Sequence, residues 1–218
     1  MEICMDCSTK CDKYDTRCPL CRTQRYRSHA EWLKRMQKHV DKSNPKAMLF
    51  LGEAYRDGKM SLKQSIPRAV ELFRRGVVQG HAASQALMGD SYSTGLGVEV
   101  DHFTAAKWYK LSAAQGYPYA EYNLGQMAYF GNGVPQSYDD SVKWQRLAAA
   151  QGHPQALCNL GVSHMMGHGV KQDLHEALRL FKLAAAAGHA DAAIRVSKLA
   201  PQLEMAKRCG LPIWPGGF

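Results

Sequence analysis

A chain of 218 residues that is 45% apolar and 22% charged has the composition of a globular protein with enough length to bury a core. It holds no apolar run of about 18 residues, so no membrane partner is expected. The acidic opening MEICMD has no apolar stretch of the kind a secretory signal needs, so the expectation is an intracellular protein, cytoplasmic or nuclear. The net charge of +9 is uneven: residues 1–21 carry −1, 22–42 carry +5, 43–81 carry +4 and 82–218 carry +1. A basic block at 22–81 reads first as a solvated face. Nucleic-acid binding through it is the weaker alternative and is disfavoured, because aromatic and base-reading residues are not grouped there.

Residues 1–22 form a cysteine cluster, ICMDCSTKCDKYDTRCPLC within it, holding five of the seven cysteines. Two C-x-x-C pairs, Cys4/Cys7 and Cys18/Cys21, have the spacing of thiolate metal ligands, and their crowding at one end argues for metal over disulfide staples. Residues 23–43 follow as a basic linker and a capping helix. Ser28 and Glu31 make the Ser-x-x-Glu start signal, and Trp32, Leu33, Met36 and Val40 share one side.

From 44 to 189 the chain repeats itself at 44–81, 82–117, 118–153 and 154–189. Gly80, Gly116, Gly152 and Gly188 recur every 36 residues, the mark of a solenoid. Each unit reads as two antiparallel helices, A and B. Pro45, Pro118 and Pro154 open A helices, where a missing N–H costs nothing. A small residue (Ala47, Ser84, Ala120, Ala156) precedes Leu51, Met88, Leu124 and Leu160, and then comes a glycine inside the helix: Gly52, Gly89, Gly125, Gly161. A helical glycine costs about 1 kcal/mol relative to alanine, so its recurrence predicts a bulky group packed directly on the backbone. Helix A ends at Gly58, Gly95, Gly131 or Gly167, and the last three open a Gly-x-Gly-Val turn. Helix B starts at Ser65, Asp101, Ser137 and Asp173, all expected N-caps, and then places small Ala69, Ala105, Ser141 and Ala177 ahead of bulky residues. Residues 190–210 begin like another helix A, with Pro201 expected to interrupt it, and serve as a C-terminal cap; 211–218 are a tail.

The pattern A-x-x-x-L-G-x-x-Y-x-x-G-x-G-V, then D/S-x-x-x-A-x-x-W/F, then A-A-x-x-G resembles the Sel-1-like repeat family. The match is close over 82–189 and has a longer turn, GKMSLKQS, in the first unit. The resemblance implies an all-α chain: a right-handed α/α superhelix of Sel-1-like repeats, related to tetratricopeptide arrays, with a small N-terminal cysteine-rich zinc-finger-like segment. It also implies an adaptor or scaffold in multiprotein complexes, with some relatives serving ubiquitin-ligase complexes of endoplasmic-reticulum quality control. Gln145 where an aromatic is usual, and Ala128 and His164 at the Tyr55/Tyr92 site, predict local repacking. The cluster Ile3-Cys4-x-x-Cys7 resembles the third ligand pair of a RING finger, and Cys18-Pro19-Leu20-Cys21-Arg22 the fourth. Two outcomes stay open. Cys4, Cys7, Cys18 and Cys21 close one zinc site, with Cys11 as a substitute ligand, or the segment is a partial RING that holds zinc poorly.

The functional expectation is a protein-interaction adaptor whose concave face, lined mainly by A helices, takes a protein or peptide. Glu121, Asn123, Gln126 and Asn159 are the candidate contact residues, with helix-to-helix hydrogen bonding as the competing reading. The alternative is a RING-type ubiquitin ligase that recruits an E2 enzyme and acts by positioning. No catalytic constellation stands out in the repeats, so none is assigned. His164 and His168 read as repeat substitutions rather than metal ligands, and the Gly-x-Gly-Val turns follow helices and lack the Lys-Ser/Thr ending of a phosphate loop.

Overall fold

The computed structural model describes residues 28–209; the cysteine cluster of residues 1–22, the rest of 1–27 and the tail at 210–218 lie outside the described residues. Every regular element among the described residues is a helix. An entry helix α1 (His29–Asp41) precedes four A/B pairs: α2 (Pro45–Asp57) with α3 (Ile66–Val78), α4 (Ala82–Thr94) with α5 (His102–Ala113), α6 (Pro118–Phe130) with α7 (Tyr138–Ala150), and α8 (Pro154–Met166) with α9 (Leu174–Ala186). A terminal helix α10 (Ala190–Cys209) closes the array. Each A helix packs on its own B helix, and each B helix packs on the next A helix; α2 and α4 also touch directly. The A helices therefore make the tighter, inner side.

The helical glycine has the cause its recurrence predicts. A Cβ on Gly89 would stand 2.7 Å from the Tyr109 ring, and one on Gly161 would stand 2.7 Å from the Phe181 ring. Phe73 covers Gly52 in the same way, and Gln145 covers Gly125. The small residues at Ala47, Ser84, Ala120 and Ala156 are fully buried, as are Ala69, Ala105 and Ala177 on the B helices, so the helices approach closely on both sides of each ring. The core is a series of clusters along the array, from the Trp32, Met36 and Val40 stripe of α1, packed on Met48 and Leu51, to Leu199 and Leu203 of α10, packed with Leu180 and Phe181.

Helix ends follow local chemistry. Ser28, Asn44, Asp101, Ser137 and Asp173 each accept a backbone N–H of the first turn, and the His153 ring does the same for Ala156. Ser65 departs from expectation and makes no side-chain cap. Pro67 occupies the second helical position and has no N–H, so one of the two donors a capping hydroxyl uses is missing. Pro201 also departs, for α10 runs through it. Proline removes one hydrogen bond, but Leu199 and Leu203 on either side are anchored in the core and hold the segment helical.

The Gly-x-Gly turns couple one repeat to the one before. Gly133 packs on the main chain of His102 and Phe103, and Gly169 packs on that of Tyr138 and Asp139, so neither position has room for a Cβ. Both also have positive φ, at +68°. The first repeat has no predecessor. Its longer turn carries Met60 and Ser61 at positive φ, packs Met60 and Leu62 on the Trp32 cluster, and brings Ser61 Oγ within 2.7 Å of His29 Nδ1.

Candidate partner-binding face

Of the residues after the helical glycines, Glu53, Asp90, Gln126 and Val162, Asp90 and Gln126 reach across the inner side to the next A helix. The Tyr109 hydroxyl reaches through from helix B and donates to Asp90 Oδ1 at 2.6 Å. The Tyr119 hydroxyl of the next A helix donates to both Asp90 oxygens at 3.0 Å. Burial pushes the Asp90 pKa up, and the two hydroxyls and Arg56 oppose that shift. Burial and then the neighbouring carboxylate hold both tyrosine hydroxyls above their ordinary range, so they stay protonated as donors.

Next to Asp90 lies an aromatic band. Tyr117 and Tyr119 have ring centroids 6.3 Å apart, and Tyr122 stacks on His153 at 4.9 Å. Burial lowers the His153 pKa, which keeps the ring neutral and leaves Nδ1 free to accept the Ala156 N–H. Asn159 Nδ2 donates to Gln126 Oε1 at 2.9 Å. A second aromatic group forms at the turns, where Tyr138 stacks on His168 at 4.5 Å and the Tyr129 hydroxyl meets His168 Nδ1 at 2.9 Å.

The four candidate contact residues are thus distributed. Gln126 and Asn159 bond each other across two A helices, which is the helix-to-helix hydrogen bonding that competes with a contact role. Asn123 is half-buried and donates to the Tyr119 carbonyl of its own helix. Glu121 is 4% exposed and accepts from Gln151 Nε2 at 2.9 Å, joining the two helices of its repeat. Cys4, Cys7, Cys11, Cys18 and Cys21 lie outside the described residues. Among the described residues no group of three or more His, Cys, Asp or Glu is arranged to hold a metal ion. Asp90, Tyr119, Tyr122 and His153 were not picked out from sequence. The signal that could have found Asp90 is a carboxylate at the register where the preceding helical glycine admits a tyrosine from helix B.

Such a face can offer hydroxyl, amide and carboxylate hydrogen bonds beside flat aromatic surface, the chemistry enriched in protein interfaces. A family model described as Sel1 repeat matches residues 45–81, 82–117, 118–153 and 154–189. The chain is similar to the crystal structure of c5321, described as a protective antigen of uropathogenic Escherichia coli strains displaying an SLR fold. The two are 33% identical with a TM-score of 0.70, over 82% of this chain and 37% of that one. It is similar to a Sel1 repeat protein from Oxalobacter formigenes, at 28% identity and a TM-score of 0.75, over 81% of this chain and 71% of that one. A Pseudomonas aeruginosa structure, PA5086, shares the fold at 19% identity and a TM-score of 0.57, over 75% of this chain and 60% of that one. This chain therefore spans well under two thirds of the c5321 structure. No curated protein gives a significant match.

Proposed function

This chain belongs to the Sel1 repeat family, and from that premise we propose that it is a protein-interaction scaffold that binds a partner segment along the inner side of its A helices. The observation that carries the proposal is the continuous polar and aromatic band from Asp90 through Tyr119, Tyr122 and His153 to Gln126 and Asn159. Half-buried tyrosines there present large, rigid surface at low entropic cost. A photo-crosslinking residue placed at Asn123 is expected to capture a discrete protein, and one at Lys107 on the exposed outer face of α5 is not. Equal capture from both positions would count against the inner side.

A second reading rests on the spacing of Cys4, Cys7, Cys18 and Cys21. In that reading the segment holds zinc, recruits an E2 enzyme and transfers ubiquitin to whatever the repeats bind, acting by positioning. Metal analysis of the full chain should then give about one zinc per molecule, and Cys18→Ser should remove it. Ubiquitin transfer with a panel of E2 enzymes separates a ligase from an adaptor.

A further inference from the structure

The outer side carries a repetition of its own. A leucine stands in solvent at the same place on three successive B helices: Leu111 on α5, Leu147 on α7 and Leu183 on α9, which are 51%, 49% and 44% exposed. They recur every 36 residues, so stacking of the repeats sets them in one row. The residue before each leucine is an exposed cation, Lys110, Arg146 or Lys182, and Arg74 extends that second row into the first repeat. None of these four cations forms an ion pair with a described residue. Carboxylates are kept away from both rows. Helix α5 has none, and those of α7 and α9 stop at Asp140 and Glu176 in the first turn, where they suit the helix dipole. Neither row serves the fold, because Tyr109, Val142 and Phe181 on the opposite side of the same helices carry the packing. The first repeat shows what an inward-facing residue does at the leucine position. Arg75 stands there, half-buried, and donates to the Val40 carbonyl of α1 at 3.2 Å.

We infer that the outer side of α5, α7 and α9 rests on an anionic phospholipid surface, with the cations among the phosphates and the leucines at the edge of the acyl layer. Cations and leucines sharing one exposed helix face are what an interfacial helix presents, and the unpaired charge complements an anionic headgroup layer. The leucine row favours lipid over nucleic acid, which offers phosphate but no apolar layer. Both rows project from the outer side instead of lining a groove, the arrangement a peptide segment would use. No helix among the described residues is long and apolar enough to cross a membrane, so the contact is peripheral. The expectation of no membrane partner rested on spanning alone. This surface is separate from the inner side, and a bilayer and a protein segment can be held at once.

The test is cosedimentation of the full chain with extruded vesicles, either phosphatidylcholine alone or equal parts of phosphatidylcholine and phosphatidylserine. Binding to the charged vesicles and not to the neutral ones is expected, and it should fall as salt is raised. Replacing Lys110, Arg146 and Lys182 together by glutamine should weaken it about a hundredfold. Replacing Leu111, Leu147 and Leu183 together by serine should weaken it about tenfold. Melting temperatures should hold in both variants, since all six side chains are exposed. Lys34→Gln, Lys38→Gln and Lys42→Gln together remove the same charge from exposed positions at the other end of the chain and should leave most binding intact. Failure to bind charged vesicles, equal binding to both kinds, or an equal loss from the two lysine and arginine triples overturns the inference. Undiminished binding by the leucine triple reduces the contact to general charge adsorption and overturns it as well. If a leucine-bearing, glutamate-rich peptide binds through the same six residues and charged vesicles do not, the face belongs to an acidic protein and the lipid surface is excluded.

Discussion

In the second repeat the ring behind the helical glycine carries a hydroxyl, and Tyr109 delivers it to Asp90; in the first, Phe73 fills the same space and brings nothing to Glu53. The third repeat lies between them. Gln145 is 1% exposed and reaches the Tyr122 carbonyl through Nε2 at 3.4 Å, while its Oε1 has no partner. The side chain at this position therefore bonds its neighbour in the second repeat, is half satisfied in the third, and in the first is a buried phenyl ring that offers no hydrogen bond. Shape is repeated faithfully along the array while polarity is not, and polarity is where the repeats acquire individual roles.

The largest effect should come from breaking what the repeats share. Gly169→Ala combines positive φ with a collision against the Tyr138 main chain and should cost about 3 kcal/mol in chemical denaturation. Gly116→Ala, with a similar φ of +74° but nothing within 4 Å, should cost only about 1 kcal/mol. The difference between the two isolates the inter-repeat contact.

Next in size is the hydroxyl that separates the first two repeats. Tyr109→Phe recreates the Phe73 arrangement in the second repeat and leaves Asp90 with Tyr119 alone, for an expected loss of about 2 kcal/mol. If the loss is negligible, Asp90 is satisfied without helix B and the contrast with Glu53 disappears. Gln145→Phe runs the other way. It installs the residue used at 73 and 181, removes the orphaned Oε1, and should stabilise the chain by about 1 kcal/mol.

The smallest effect is the pH dependence of Glu53. Its folded pKa lies above the ordinary 4.5 because burial disfavours the charged form; Arg56 and Lys59 oppose that shift and Asp57 adds to it. The folded state thus holds this proton more tightly than the unfolded state, so stability falls as pH rises from 4.5 through the raised value. Glu53→Gln should raise the melting temperature at neutral pH and lose that advantage below pH 4.5. An advantage that is independent of pH would mean the carboxylate is not the cause.

The all-α architecture was legible because a glycine every 36 residues, a capped helix start and a closing alanine run each carry a local physical meaning that repetition makes unmistakable. The proposed binding face was legible only in part. Gln126 and Asn159 are polar residues beside the core stripe, and their side chains bond each other between two A helices. Glu121 has the same credentials in sequence, yet it is turned toward Gln151 and buried. A polar residue at the margin of a helix stripe can face either neighbour, and that choice is made by side chains about 30 residues away. Asp90 and Tyr119 come from different repeats, so their contact leaves no local pattern to read.

The turns built on Gly133 and Gly169 press main chain against main chain. The spacing between successive units there is set by atoms that every amino acid possesses rather than by particular side chains. Such an array can exchange the residues it displays without altering its pitch. A new specificity could then arise by changing one side chain on the inner side, while the ruler on which that side chain is mounted keeps its graduations.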